Sequence, residues 1–384
     1  MELIMRMLPV LLLASLAFGS ALPAQTSSPQ PPVVRLQVDQ RALALDLARR
    51  LEADFVFPEQ GRRYAAALRS HSDRGEYDGL AGVELAKRLS DDLQRVAPDG
   101  HLRVMFEGVG GGPQVVVMQP RDAADGPPPA DGGPVMMRVA MPPAIEHAGW
   151  IAPGVAFIRF NGFPSEPETI RAARKFMFDH VGAKAIIFDL RTHMGGGLGE
   201  MDEIFPWLFS EPTHLVTMAT RKSVDEAGGS PVEGVPTMRI VPGDPAYVTR
   251  EHWVTPGESR QLENAKVFVL TSGFSASAAE HFVLALKHTK RATVIGRSTA
   301  GANHFGGDQD LGGGFSVFLP VGRSFGPKTG KDWEGMGVSP DIDVAPDRAL
   351  AIALTQAGLA SDVAEQLSAK FAPAMPMIDG RIGG

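Results

Sequence analysis

The spacing of apolar positions changes character along this chain. Over residues 39–96 it is helical: Leu43, Leu47 and Leu51 follow a capping Asp39, and Leu85, Leu89, Leu93 and Val96 mark another helix. Phe55-Val-Phe-Pro58 and Gly75-Glu-Tyr-Asp-Gly79 read as turns joining helices. From residue 149 onward, short apolar runs alternate with helical spacing. Residues 155–160 and 185–190 read as strands with a helix over 167–180 between them, and residues 267–270, 292–295 and 315–319 read as further strands. That order predicts an α/β core over 149–350, preceded by a small helical domain over 39–107 and followed by a C-terminal helix and tail over 351–384. Residues 214–262, rich in Thr, Val and Pro and long for a connection, read as an edge hairpin or a lid.

Between helical domain and core the composition shifts. Gly110-Gly-Gly-Pro113, Pro127-Pro-Pro129 and Gly132-Gly-Pro134 surround one apolar run, 115–118. Residues 108–148 therefore read as a mobile connector with at most a hairpin, too short and broken for an inserted peptide-binding domain of the PDZ kind. At the start of the chain, Arg6 precedes an apolar run over 8–18, too short to span a bilayer, and then small residues. Residues 1–24 read as a secretory signal peptide and 25–38 as a flexible lead-in. Export to the periplasm or the medium is the expectation, with no membrane span.

An exported chain with 0 cysteines has no disulfides to rely on, so its core must hold it together unaided. With 44% hydrophobic residues it has enough apolar material for one large domain and a smaller one. The lack of thiols also excludes cysteine catalysis and thiolate metal sites. A net charge of -7 without basic blocks argues against nucleic acid as the partner.

The richest chemical signal is Thr271-Ser-Gly-Phe-Ser-Ala-Ser-Ala-Ala-Glu280. It follows the apolar run 267–270 and precedes a helical pattern, so Ser277 sits at a strand-to-helix turn beside unpaired amides of partial positive charge. A nucleophile can attack there and its oxyanion can be held. Ser277 and Glu280 also form a capping-box pattern, so on the local sequence alone the serine reads first as a cap.

Four stretches, in order over residues 40–345, together resemble the superfamily of serine peptidases that contains the C-terminal processing proteases and tricorn protease. Within it they are similar to the branch of interphotoreceptor retinoid-binding protein and its bacterial relatives. The stretches are Phe55-Val-Phe-Pro58 with Asp99-Gly-His-Leu-Arg-Val104; Phe188-Asp-Leu-Arg-Thr-His-Met-Gly-Gly196; Ser275-Ala-Ser-Ala-Ala-Glu280 with Thr299-Ala-Gly301; and Trp333-Glu-Gly-Met-Gly-Val-Ser-Pro-Asp-Ile342. The resemblance implies a ClpP/crotonase-like spiral core with no PDZ domain, and a serine-type endopeptidase working through an acyl-enzyme. It carries Ser277 onto the nucleophile, and Gly195, Gly196 and the amide of Ala278 onto the oxyanion site.

Ala302 stands where the processing proteases have a lysine base. Tricorn-type members use a histidine from a Ser-His pair, with a late glutamate. Gly100-His101 and Glu334 occupy those positions, making His101 the implied base and Glu334 its support. His304, just past the lost lysine, is the alternative base, and His193 reads as a brace for the oxyanion loop. A protein or peptide substrate is expected, with no cofactor and no metal, since no metal-ligand spacing is present. The rival reading is a non-catalytic binder of hydrophobic small molecules on the same scaffold. An α/β-hydrolase esterase fits poorly, because Gly273-Phe-Ser-Ala-Ser277 lacks the final glycine of that nucleophile turn.

Overall fold

The structure is a computed structural model that describes residues 38–107, 142–258 and 262–375, with the backbone of 377–378 and 381–382. The segment read as an export signal, the lead-in before Val38, and residues 108–141 of the expected connector lie outside the described residues. The rest belongs to one compact unit, Val38–Gly384. No helix among the described residues is long and apolar enough to cross a membrane.

Three helices open the fold. In α1 (Gln40–Asp54) the Asp39 side chain accepts from the Ala42 amide at 2.9 Å, satisfying one orphan donor of the first turn. Helix α2 (Pro58–Asp73) begins on proline, whose fixed φ suits the first helical position. Gly75 and Gly79, both at positive φ, turn the chain into α3 (Gly82–Val96). Leu43, Leu47, Leu51, Leu85, Leu89 and Leu93 are all buried, as their spacing requires. The helices do not close a core of their own. They share it with Phe315, Val317, Leu319 and Val321 from a long strand near the other end of the chain. The short strand β1 (Arg103–Phe106) pairs antiparallel with that same strand.

The chain then builds two sheets. It passes through β2 (Ile145–Ala152), β3 (Val155–Phe160), α4 (Pro167–Asp179), β4 (Ala185–Asp189) and α5 (Gly199–Ile204). It continues through β5 (Thr213–Arg221), α6 (Lys222–Glu226), β6 (Met238–Val241), β7 (Tyr247–Val254), β8 (Lys266–Thr271) and α7 (Ala278–His288). Last come β9 (Thr293–Gly296), β10 (Phe305–Gly312), β11 (Phe315–Phe325), β12 (Ile342–Asp343), α8 (Pro346–Gln356) and α9 (Ser361–Lys370). One sheet has the order β12-β9-β8-β4-β3-β2, parallel except for β2. The other is antiparallel, β1-β11-β5-β7-β6, with β10 also on β11.

Strands β3 and β4 are buried at every position, which is why they read as unbroken apolar runs. Alternate side chains serve the two faces. Ile158, Ile186, Phe188 and Val269 meet Met177, Phe282 and Leu286 of α4 and α7. Phe157, Ile187, Phe268 and Ile295 meet Leu350 and Leu354 of α8. This is a layered α/β fold.

Four details differ from the expectation. The strand at 315–319 exists but belongs to the antiparallel sheet, because its partners are β1, β10 and β5. Residues 214–262 are more than an edge hairpin: β6 and β7 form that hairpin at the edge, and β5 joins them, so the segment supplies half of that sheet. The first strand of the core starts at Ile145, inside the stretch read as connector. Helix α8 starts at Pro346, and α9 adds a second C-terminal helix.

Where β3 and β4 end, a charged cluster fixes the start of the next loop. Asp189 takes hydrogen bonds from Arg159 Nε at 2.8 Å and from Arg191 Nε and Nη2 at 2.8 and 2.7 Å. All three side chains are almost fully buried. Burial opposes ionisation of Asp189, but the two guanidiniums outweigh it and hold its carboxyl below the usual range.

Candidate active site

The loops leaving the carboxyl ends of β4 and β8, neighbours in the parallel sheet, interlock. Ser275 Oγ donates to the Leu190 carbonyl at 2.7 Å and Ser272 Oγ to the Arg191 carbonyl at 2.5 Å. The Ala276 amide donates to the His193 carbonyl at 3.0 Å. Ser277 follows at φ 56°, ψ −116°. A residue with a Cβ rarely sits there, at a cost of about 1–3 kcal/mol, and such strain concentrates at functional sites. The turn is held by Glu280, which is fully buried. Its Oε2 accepts from the amides of Ser277 and Ala302, both at 2.8 Å. Its Oε1 accepts from Thr299 Oγ1 at 2.6 Å and the Gly301 amide at 2.7 Å. Burial raises the Glu280 carboxyl above its ordinary value, against the pull of those four donors. Glu280 thus does more than cap α7: it ties the Ser277 turn to 299–302.

The facing loop carries Gly195 and Gly196 at φ 119° and 131°. A Cβ on Gly195 would lie 2.9 Å from the Ser277 Cβ, so only glycine allows this approach. The Gly195 amide is already spent, donating to His193 Nδ1 at 3.1 Å. By contrast, the amides of Gly196 and Ala278 meet no acceptor among the described residues, and both residues line the same cavity as Ser277. These two amides are free to donate to an acceptor in the cavity. His193 is the brace that the sequence suggested: a fully buried imidazole, neutral because burial lowers its pKa to about 3.

Gly196 is tightly enclosed. Its added Cβ would sit 1.9 Å from the Phe163 carbonyl oxygen. Gly196→Ala should therefore displace the loop and lower kcat by about 10²-fold or more, read in a peptide-hydrolysis assay. A wild-type kcat in this variant would show that the loop does not serve the reaction.

His101 lines the cavity, its ring stacked on Phe318 with centroids 5.0 Å apart. Burial lowers its pKa, a shift the carboxylates of Asp99 and Glu334 oppose, so the ring is neutral at pH 7. Glu334 does not bond that ring. Its Oε1 accepts from the Gly100 amide at 2.7 Å, and its Oε2 from the amides of Asn303 and His304 at 2.7 and 3.1 Å. It fixes the turn that carries His101. Gly100 supplies through its backbone N–H a contact to the glutamate that needs no serine hydroxyl. His304 lies elsewhere: its Nδ1 is 2.7 Å from Asp99 Oδ2, both side chains are buried, and it does not line the cavity. Asp99 Oδ1 in turn accepts from the amides of His101 and Leu102, both at 2.9 Å. Neither imidazole is hydrogen-bonded to the Ser277 hydroxyl.

Asp99, His304 and Glu334 bring ligand atoms within 4.8 Å of one another. Their oxygens are already engaged by five backbone amides and the imidazole, a donor set that suits an Asp–His pair and not a metal.

Residues 154–344 match the model of peptidase family S41. The core of this chain is a peptidase S41 domain. Two solved structures share its fold. A protein of Parabacteroides merdae ATCC 43184 described as a peptidase is 18% identical, over 83% of this chain and 97% of that one, with a TM-score of 0.53. The photosystem II D1 C-terminal processing protease is 16% identical, over 88% of this chain and 99% of that one, with a TM-score of 0.50. At these identities the likeness is one of fold. Ala302, where the resemblance would place a lysine, is buried, with its amide on Glu280.

The sequence reading missed three residues at this site. Asp99, two positions before His101, holds both the His101 backbone and the His304 ring. His252 and His281 are buried together beside the cavity. His281 follows Ser277 by four residues in the first turns of α7, a signal visible in the sequence.

Proposed function

We propose that this S41 domain is a serine peptidase that cleaves peptide bonds of exported proteins or peptides through an acyl-enzyme. The observation that carries the reading is a strained Ser277 facing two unpaired amides, Gly196 and Ala278, in a cavity of about 680 Å³ shared with His101. Ser277 Oγ attacks the carbonyl carbon as the His101 imidazole takes its proton. The oxyanion forms against the two amides, where fixed dipoles act with little reorganisation. His101 then gives the proton to the departing amine. Met194, Leu198, Met218, Val232, Phe305 and Phe318 give the cavity an apolar wall, which fits an apolar substrate side chain.

That wall also suits a hydrophobic small molecule. A binder, however, has no use for a strained serine or for two amides left without acceptors, and both carry a free-energy cost. Incubation with an unfolded casein, followed by mass spectrometry of new termini, separates the readings. Internal cleavage is expected. An intact substrate, together with tight binding of a hydrophobic ligand, would favour the binder.

The pH profile follows from His101. It accepts a proton only when neutral, and its pKa lies below the ordinary 6.5. The acid limb of kcat/KM should therefore fall below pH 6.5, with activity level through neutrality. A limb centred above pH 7 would point to another base.

A further inference from the structure

Three polar side chains beside the cavity take no part in the steps above. Asp202 on α5 places Oδ1 2.9 Å from His252 Nε2 on β7, and His252 Nδ1 lies 2.9 Å from His281 Nε2 on α7. His252 and His281 are 1% and 3% exposed, whereas Asp202 is partly open. The Thr237 hydroxyl is 3.1 Å from each Asp202 oxygen. Asp202 and His281 line the cavity that holds Ser277.

The direction of this chain follows from its chemistry. An ionised carboxylate only accepts, so His252 Nε2 carries hydrogen and its Nδ1 is a lone pair. His281 Nε2 must then donate, which leaves His281 Nδ1 as the acceptor at the end of the chain. Burial, with some contribution from His252, pushes the His281 pKa well down and keeps its ring neutral. His281 lies four residues after Ser277, and its amide donates to the Ser277 carbonyl at 3.2 Å. Ser277 and His281 line the same cavity, whose volume of about 680 Å³ has room for a water. Apolar residues would fill this space at no loss of stability, so a directed polar chain here calls for a use.

We propose that His281 is a second proton-transfer residue of this active site, the base for the water that hydrolyses the acyl-enzyme, with His252 and Asp202 as its positioning residues. The inference rests on the serine-peptidase reading. The water gives its proton to His281 Nδ1 while its oxygen forms a bond to the acyl carbon. As the tetrahedral intermediate collapses, the bond from that carbon to Ser277 Oγ breaks, and Oγ recovers the proton from His281. The acid product leaves and both side chains return to their starting states.

Stopped-flow hydrolysis of p-nitrophenyl acetate tests this. His281→Gln keeps a donor for His252 but has no basic nitrogen. It should release the first equivalent of p-nitrophenolate at the wild-type rate, then turn over at least tenfold more slowly. Mass spectrometry should show acetyl accumulating on Ser277. His281→Ala should behave alike, and added imidazole should restore its turnover, a rescue that a structural role would not give. Asp202→Asn should slow turnover in the same direction by a smaller factor. Wild-type turnover in His281→Gln, a burst that slows together with turnover, or no rescue by imidazole would overturn the inference. A wild-type protein that forms no acyl adduct on Ser277 would remove the peptidase reading and this inference with it.

Discussion

Ser277→Ala should lower peptide hydrolysis by about 10⁶-fold while the protein unfolds at nearly the same temperature. The two effects separate because the turn does not depend on the hydroxyl. Glu280 grips Ser277 through its backbone amide at 2.8 Å, a bond that survives the substitution. Alanine bears the same φ of 56° at the same cost, since the strain lies with Cβ. Loss of a side-chain cap alone is worth about 1 kcal/mol. Substantial hydrolysis by this variant would exclude Ser277 as nucleophile. A large fall in unfolding temperature would show that its hydroxyl is structural.

The two candidate histidines should part in opposite ways. His101→Ala removes a ring that lines the cavity and stacks on Phe318, so the rate should fall by about 10²–10⁴-fold and stability by about 1 kcal/mol. His304→Ala removes the partner of a buried carboxylate. Asp99 then keeps two amides but loses the imidazole at 2.7 Å, and the protein should be destabilised by about 3–5 kcal/mol. Activity per folded molecule should fall less than tenfold. Paired measurements of kcat/KM and urea unfolding decide between them. If His304→Ala kept its stability and lost its rate, the base assignment would reverse.

Local chemistry explains what could be read from the chain. The strand Val155–Phe160 and the helix after Pro167 are set by short-range spacing, and both lie where the spacing predicts. The link between Ser277 and Glu280 is local as well, three residues apart. Pairing between distant strands carries no such signature. Residues 315–319 look like any buried strand, and nothing in their own sequence shows that β1 and β5 flank them. The same limit hid the Asp99–His304 pair, 205 residues apart, and the contact of Glu334 with the Gly100 amide, 234 residues apart. His252 and His281 stand 29 residues apart on a strand and a helix of different sheets and layers, so only the fold shows that they meet. The paired glycines were legible as a loop facing Ser277, but not which amide would be free. That depends on His193 turning its Nδ1 to Gly195 and leaving Gly196 open.

Covalent labelling of the wild-type protein with a fluorophosphonate, with the modified peptide mapped by tandem mass spectrometry, tests the central claim most directly. Attack on that phosphorus requires an activated hydroxyl beside an oxyanion site, and hydrolysis of a substrate is not needed. The predicted result is one modification, on Ser277, that is slowed in His101→Ala. A protein that stays unlabelled, or is labelled only at another residue, would contradict the account.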